Sequence, residues 1–215
     1  MNGSRDRLIA SLVADARPIA HPGRVARAVS AWLAVATAVA LAGMALRLPF
    51  GTVRWAALAE SPRFLLECLC GVGVIVTAAV YALRSALPAA LTRSAAWTLP
   101  LVLLATWLAW QILAITMPAI APDMAGKRPH CWLEVLLAGM PGLVIGLGLA
   151  RRLWPLAGTR TGALAGLAAG AIPALAMQLV CQYEPVHGLA FHLAPGVALG
   201  ILGALAGARW LRPRG

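Results

Sequence analysis

The stretch TGALAGLAAGAIPALAMQLVC, Thr161 to Cys181, holds no charged residue and carries Gly162, Gly166 and Gly170 at every fourth position. About 20 mostly apolar residues cover a hydrocarbon core of about 30 Å, so this length fits one bilayer crossing. Residues four apart share one helix face. In lipid, where apolar burial does not drive helices together, a face of glycines lets two backbones approach closely. The stretch predicts a transmembrane helix near the packed centre of a bundle.

Five more apolar runs of similar length surround it: Ala28–Leu46, Phe64–Leu83, Ala95–Met117, Trp132–Ala150 and Leu189–Ala208. The predicted fold is all-α, an integral membrane bundle of six transmembrane helices. Hydrophobic residues are 61% of the chain and charged residues 12%, with mean hydropathy +0.82. A soluble domain is nearer 45–50% apolar and about 25% charged. The fourth run carries Gly142 and Gly146, the fifth is preceded by Gly158, and the sixth carries Gly196, Gly200, Gly203 and Gly207. Spans four to six are therefore expected to form the tight centre. The third, with Trp97, Trp107 and Trp110, is bulkier. Pro100, Pro141, Pro173 and Pro195 lie inside spans and predict local kinks.

The net charge of +11 comes from arginines at span ends, not from one folded face. It predicts topology rather than nucleic-acid binding, and no direct nucleic-acid contact is expected. With the N-terminus inside, the inner segments carry Arg5, Arg7, Arg17, Arg24, Arg27, Arg84, Arg93, Arg151, Arg152, Arg160, Arg209, Arg212 and Arg214. The outer loops carry Arg47, Arg54, Arg63, Lys127 and Arg128. That split predicts both termini in the cytoplasm. A cytoplasmic tail then covers residues 1–27, six spans cover 28–208, and a second tail covers 209–215. The basic segment before the first run is long and contains Asp6 and Asp15, so the run reads as an uncleaved span.

Cys131 opens the fourth span and Cys181 closes the fifth at the same outer face. A short inner loop joins these helices, which predicts antiparallel neighbours with both thiols at one depth, within the Cα separation that a disulfide tolerates. Lys127, Arg128, His130 and the helix N-terminus favour a thiolate at Cys131, whereas Glu184 and a helix C-terminus disfavour one at Cys181. The readings are a redox or metal-responsive pair, a structural staple, or two interfacial cysteines that never meet. A metal variant uses the soft set His130, Cys131, Cys181 and His187, with His192, Glu134 and Glu184 on the same face. No C-x-x-C or H-x-x-x-H spacing supports it, and no resident cofactor is expected beyond a soft metal ion acting as a signal. Glu67, Glu134 and His192 fall in the outer first turns and read as interfacial polarity. Cys68 and Cys70, two apart on one helix, point to different faces and read as structural.

In the tail, Ser4 is a candidate N-cap, and Leu8, Ile9, Leu12, Val13 and Ala16 form an apolar stripe at helical spacing. Asp6, Arg7, Asp15 and Arg17 take the polar side, and Pro18 with His21-Pro22-Gly23 ends the element. Such a tethered helix either lies on the lipid surface or docks into a groove of a soluble partner.

Three segments carry a resemblance. Arg7-Leu8-Ile9-Ala10-Ser11-Leu12-Val13-Ala14-Asp15-Ala16-Arg17-Pro18 resembles the opening of the NrsF-like family, the negative regulators of an extracytoplasmic-function sigma factor called sigma F. Ser61-Pro62-Arg63-Phe64-Leu65-Leu66-Glu67 and His130-Cys131-Trp132 fit it too, as do six spans with one outer cysteine on each of spans four and five. The resemblance implies a multi-pass anti-sigma factor of the bacterial inner membrane, not an enzyme, with a sigma factor and the bilayer as partners. It implies that Cys131 and Cys181 sense the signal, and that Leu8, Ile9, Leu12, Val13 and Asp15 belong to the sigma-binding surface. The rival readings are a membrane thiol oxidoreductase, which needs a second communicating cysteine pair, and a small transporter, which needs a mid-membrane charge.

Overall fold

A computed structural model describes residues 2–14, 22–45, 55–87, 95–122, 130–153, 155–181 and 183–211. Among them every regular element is helical. They are α1 (Asn2–Ala14), α2 (Pro22–Ala45), α3 (Trp55–Glu60), α4 (Pro62–Ser85), α5 (Ala95–Thr116), α6 (Cys131–Arg151), α7 (Gly158–Val180) and α8 (Pro185–Trp210). Six of these, α2 and α4 to α8, are long and apolar enough to cross a membrane.

The helix boundaries follow local chemistry. Ser61 caps α4, its Oγ accepting from the Phe64 N–H at 3.3 Å. Pro62 follows at the first turn, where a missing N–H costs nothing. The same logic corrects the expected turn at His21-Pro22-Gly23. Pro22 and Gly23 instead begin α2, ahead of the apolar run, so Arg24 and Arg27 are helical; His21 lies outside the described residues. Ser4, expected as a cap, sits inside the first turn of α1.

The bundle is built around α7, the most deeply buried span. Its glycine face meets α8 backbone to backbone. A Cβ placed on Gly162, Gly166 or Gly170 would collide with the carbonyl oxygen of Gly203, Leu199 or Gly196, respectively. Gly158 meets Gly207 in the same way. The seam predicted for spans five and six is thus formed. The Gly142–Gly146 pair of α6 has a different guest. Trp32 of α2 lies where a Cβ on Gly146 would go, and its Nε1 donates to the Gly142 carbonyl at 2.8 Å. Span four therefore joins the centre by admitting a large side chain from span one. The bulky third span, α5, is largely peripheral and inserts Trp107 and Gln111.

One end of the bundle gathers the C-terminal ends of α2, α5 and α7 with the N-terminal ends of α4, α6 and α8. Met44, Cys131, Met177 and Cys181 pack together there. The opposite end carries Arg84, Arg151, Arg152, Arg160 and Arg209, and is closed by a 3.0 Å hydrogen bond between the Ser85 and Thr161 hydroxyls. The helices run through Pro100, Pro141 and Pro173 without interruption. Pro195 behaves differently. It has no N–H, and its ring crowds the carbonyl four residues back. Just before it, α8 widens into a π-helical turn, Gly188–Leu193, where the Ala194 N–H reaches back five residues to the Leu189 carbonyl.

Candidate functional site

Cys131, Cys181, His187 and His192 meet at this end, all buried, each with one ligand atom within 4.8 Å of the others. Three helices supply them. Cys131 is the first residue of α6. Cys181 caps α7: its N–H still bonds the Met177 carbonyl at 2.7 Å, but its backbone is already extended, so the chain leaves the helix there. The chain then turns back into α8. Glu184 starts that helix by accepting from the N–H groups of Val186 and His187, at 3.2 and 2.7 Å. The Glu184 carboxylate, read from the sequence as a neighbour of Cys181, also serves as the cap that starts α8.

The two histidines depend on the π turn. Five residues apart on a regular α-helix they would be separated by about 140°. The wider turn, closed by i to i+5 hydrogen bonds, brings such positions to one side. The rings of His187 and His192 stand edge to face at 4.9 Å, and Phe191 stacks on His187 at 4.7 Å. His187 Nε2 lies 3.8 Å from the Cys181 sulfur, and its buried Nδ1 has no hydrogen-bond partner. Met44, Val135 and Met177 are buried in the same cluster as the sulfurs. No disulfide joins the two cysteines.

Two thiols and two imidazoles are a soft donor set of the kind that takes zinc or copper(I). Bonds of about 2.0–2.3 Å in a tetrahedron put ligand atoms roughly 3.3–3.8 Å apart, so this cluster needs little movement to close on one ion. His130, named in the sequence reading, does not belong to it. It is exposed at the cap position of α6, and His192 takes that place in the set. Glu134 lies half-buried on α6, outside the cluster. Lys127 and Arg128 lie outside the described residues. Cys68 and Cys70, both free, stay on α4 away from the four ligands, Cys68 buried in the main core.

A second polar cluster was not foreseen. Glu67, read as interfacial, is fully buried. Its Oε2 accepts from Gln111 Nε2 of α5 and Gln178 Nε2 of α7, both at 3.3 Å, and its Oε1 accepts from the Tyr183 hydroxyl at 3.3 Å. Arg63, one turn earlier, places its Nε 3.6 Å away and its guanidinium over the Trp110 ring. Trp107 donates to Gln178 Oε1 at 3.0 Å, and Tyr183 also accepts from the Ala119 N–H. Burial, with the Glu67 carboxylate beside it, pushes the Tyr183 phenol up to about 12, so it stays a proton donor. The available signal was the pair Gln111 and Gln178, polar residues inside spans that need partners in lipid.

At the other end of the chain, α1 forms as a helix, and Ile9 and Val13 are exposed on it. Leu8 and Leu12 fall within α1, but their side chains, and all of Asp15, lie outside the described residues.

The fold and this site define a small multi-pass membrane protein with two buried cysteines and two buried histidines gathered at one end of the bundle. The chain belongs to the NrsF family, negative regulator of sigma F, whose family model matches residues 12–212. No curated protein and no solved structure matches it.

Proposed function

We propose that the protein is an anti-sigma factor of the bacterial inner membrane, with both termini cytoplasmic. It sequesters an extracytoplasmic-function sigma factor at the cytoplasmic face and releases it when Cys131 and Cys181 meet a periplasmic signal. The family match along nearly the whole chain carries the regulatory half of this reading. The arginines at the end opposite the cysteines support the orientation, since positive residues stay inside. The exposed Ile9 and Val13 support docking of α1 on the partner together with Leu8, Leu12 and Asp15.

The four buried ligand atoms within 4.8 Å of one another favour a soft metal cation as the signal, bound by Cys131, Cys181, His187 and His192. A thiol oxidant is the second reading, favoured by two thiols in one apolar cluster. It would take two electrons and two protons as the sulfurs join. Metal and disulfide exclude one another, because both consume the thiolates.

Affinity purification of the full chain from its native membrane tests the reading. A sigma factor should co-purify, leave on addition of copper or silver ions, and stay bound in Cys131→Ser and Cys181→Ser variants. Failure to capture a sigma factor would remove the anti-sigma reading. Release from the double variant at the wild-type metal concentration would place the sensor elsewhere.

A further inference from the structure

The Glu67 cluster touches the segment that carries Cys181 on both sides. Gln178 is three residues before the cysteine and Tyr183 two residues after it, and both end on the same carboxylate. Between them the chain leaves α7, so no helical ladder holds Cys181 from its C-terminal side. Gln111, the third donor, has its Oε1 close to Gly188 at the start of the π turn that presents His187 and His192. Phe64, three residues before Glu67, meets the Tyr183 ring edge to face at 5.6 Å. A carboxylate at this depth is costly to bury, and three donors from three elements converge on it. None of these groups belongs to the four-ligand set.

We propose that Glu67 is a positioning residue of the cysteine site: through Tyr183 and Gln178 it fixes the Cys181 segment so that its sulfur faces Cys131, His187 and His192. The inference rests on the cysteine cluster being the sensor, but its geometric content stands apart from any metal. Without the carboxylate, Gln111, Gln178 and Tyr183 lose a shared acceptor, and the cost of those unpaired groups is relieved by moving Tyr183 and the extended backbone at Cys181, where α7 has ended.

The test reads the distance between the sulfurs as a rate. In the purified full-length protein, diamide takes two electrons and two protons as the Cys131–Cys181 bond forms, and mass mapping follows the product. Glu67→Ala should slow bridging about tenfold, and Tyr183→Phe, which removes one hydroxyl, should slow it less. Glu67→Gln keeps an acceptor oxygen and should restore most of the rate. A control pair at the far end, Ser85→Cys with Thr161→Cys, replaces hydroxyls 3.0 Å apart. Its bridging should be unchanged by Glu67→Ala, which a general loosening of the bundle would not allow. Should Glu67→Ala fail to fold, the Tyr183→Phe and Glu67→Gln rates decide alone. Wild-type bridging in Glu67→Ala, or equal slowing at both pairs, overturns the proposal. Titration with copper(I) against a chromophoric chelator separates the two readings. If wild type takes up no copper while Glu67→Ala still slows bridging, the metal reading falls and the positioning role stands. If Cys131→Ser abolishes copper binding while the Glu67 variants bridge normally, the positioning role alone falls.

Discussion

From Gly158 to Gly170, α7 meets α8 backbone to backbone; from Gln178 to Cys181, the same helix meets its surroundings through polar side chains. The first region has one solution. Carbonyl oxygens of Gly196, Leu199, Gly203 and Gly207 occupy the space any side chain would need, so neither helix can rotate without a collision. The second region is held by hydrogen bonds and gathers four soft side chains, those of Cys131, Cys181, His187 and His192. Backbone contact gives a fixed seam, whereas contact through polar side chains leaves more than one arrangement open. A signal at the sulfurs is therefore expected to act at the cysteine end and to leave the seam as the fixed reference.

The largest effect should come from breaking the seam. Gly166→Leu drives a branched side chain into the Leu199 carbonyl and Gly200, neither of which is a flexible side-chain tip. Overpacking typically costs about 1–3 kcal/mol and more where nothing can yield, so we expect the protein to be lost as a monodisperse species after detergent extraction. A normally folded Gly166→Leu would show that α7 and α8 can separate, and the contrast between the two regions would dissolve.

A smaller effect, confined to the other region, should follow His192→Ala. Removing one of four ligands is expected to weaken copper(I) binding at least about tenfold in chelator competition while the bundle still folds. His130→Ala, at an exposed position outside the cluster, should bind as wild type. The opposite pattern would return the site to the ligand set read from the sequence.

The smallest effect should come from a glycine outside both regions. A Cβ on Gly148 meets nothing within 4 Å. Gly148→Ala should leave thermal stability within about 0.5 kcal/mol or raise it slightly, because alanine is the better helix former. Marked destabilisation there would mean that Gly148 packs against a neighbour, as Gly139, Gly142 and Gly146 do.

Much of the cysteine pair was legible because it follows from topology. Two spans joined by a short loop place the start of one beside the end of the other, whatever their packing. The histidines beside the sulfurs were legible only in part. The sequence reading named His130 with His187 and put His192 on the same face, whereas His187 and His192 lie beside the sulfurs and His130 does not. Spacing along an ideal helix puts residues five apart on different sides. The π turn before Pro195 reverses that, and an α-helical pattern gives no notice of it. Glu67 was misread for a related reason. Its place near a span end argued for the interface, while its burial is set by Gln111, Gln178 and Tyr183, far from it in sequence.

By itself the sequence determined six apolar helices, the side on which arginines accumulate, the glycine face of α7 and the shared end of Cys131 and Cys181. These follow from local composition, the helical period and the bilayer's thickness, and all are readable one segment at a time. Only the tertiary structure decided that Trp32 fills the Gly142–Gly146 groove, that His192 joins His187 beside the sulfurs and that Glu67 gathers three donors in the interior. Each of these depends on which helices become neighbours and at what rotation. In lipid that choice rests on close packing and on satisfying buried polar groups from several segments at once.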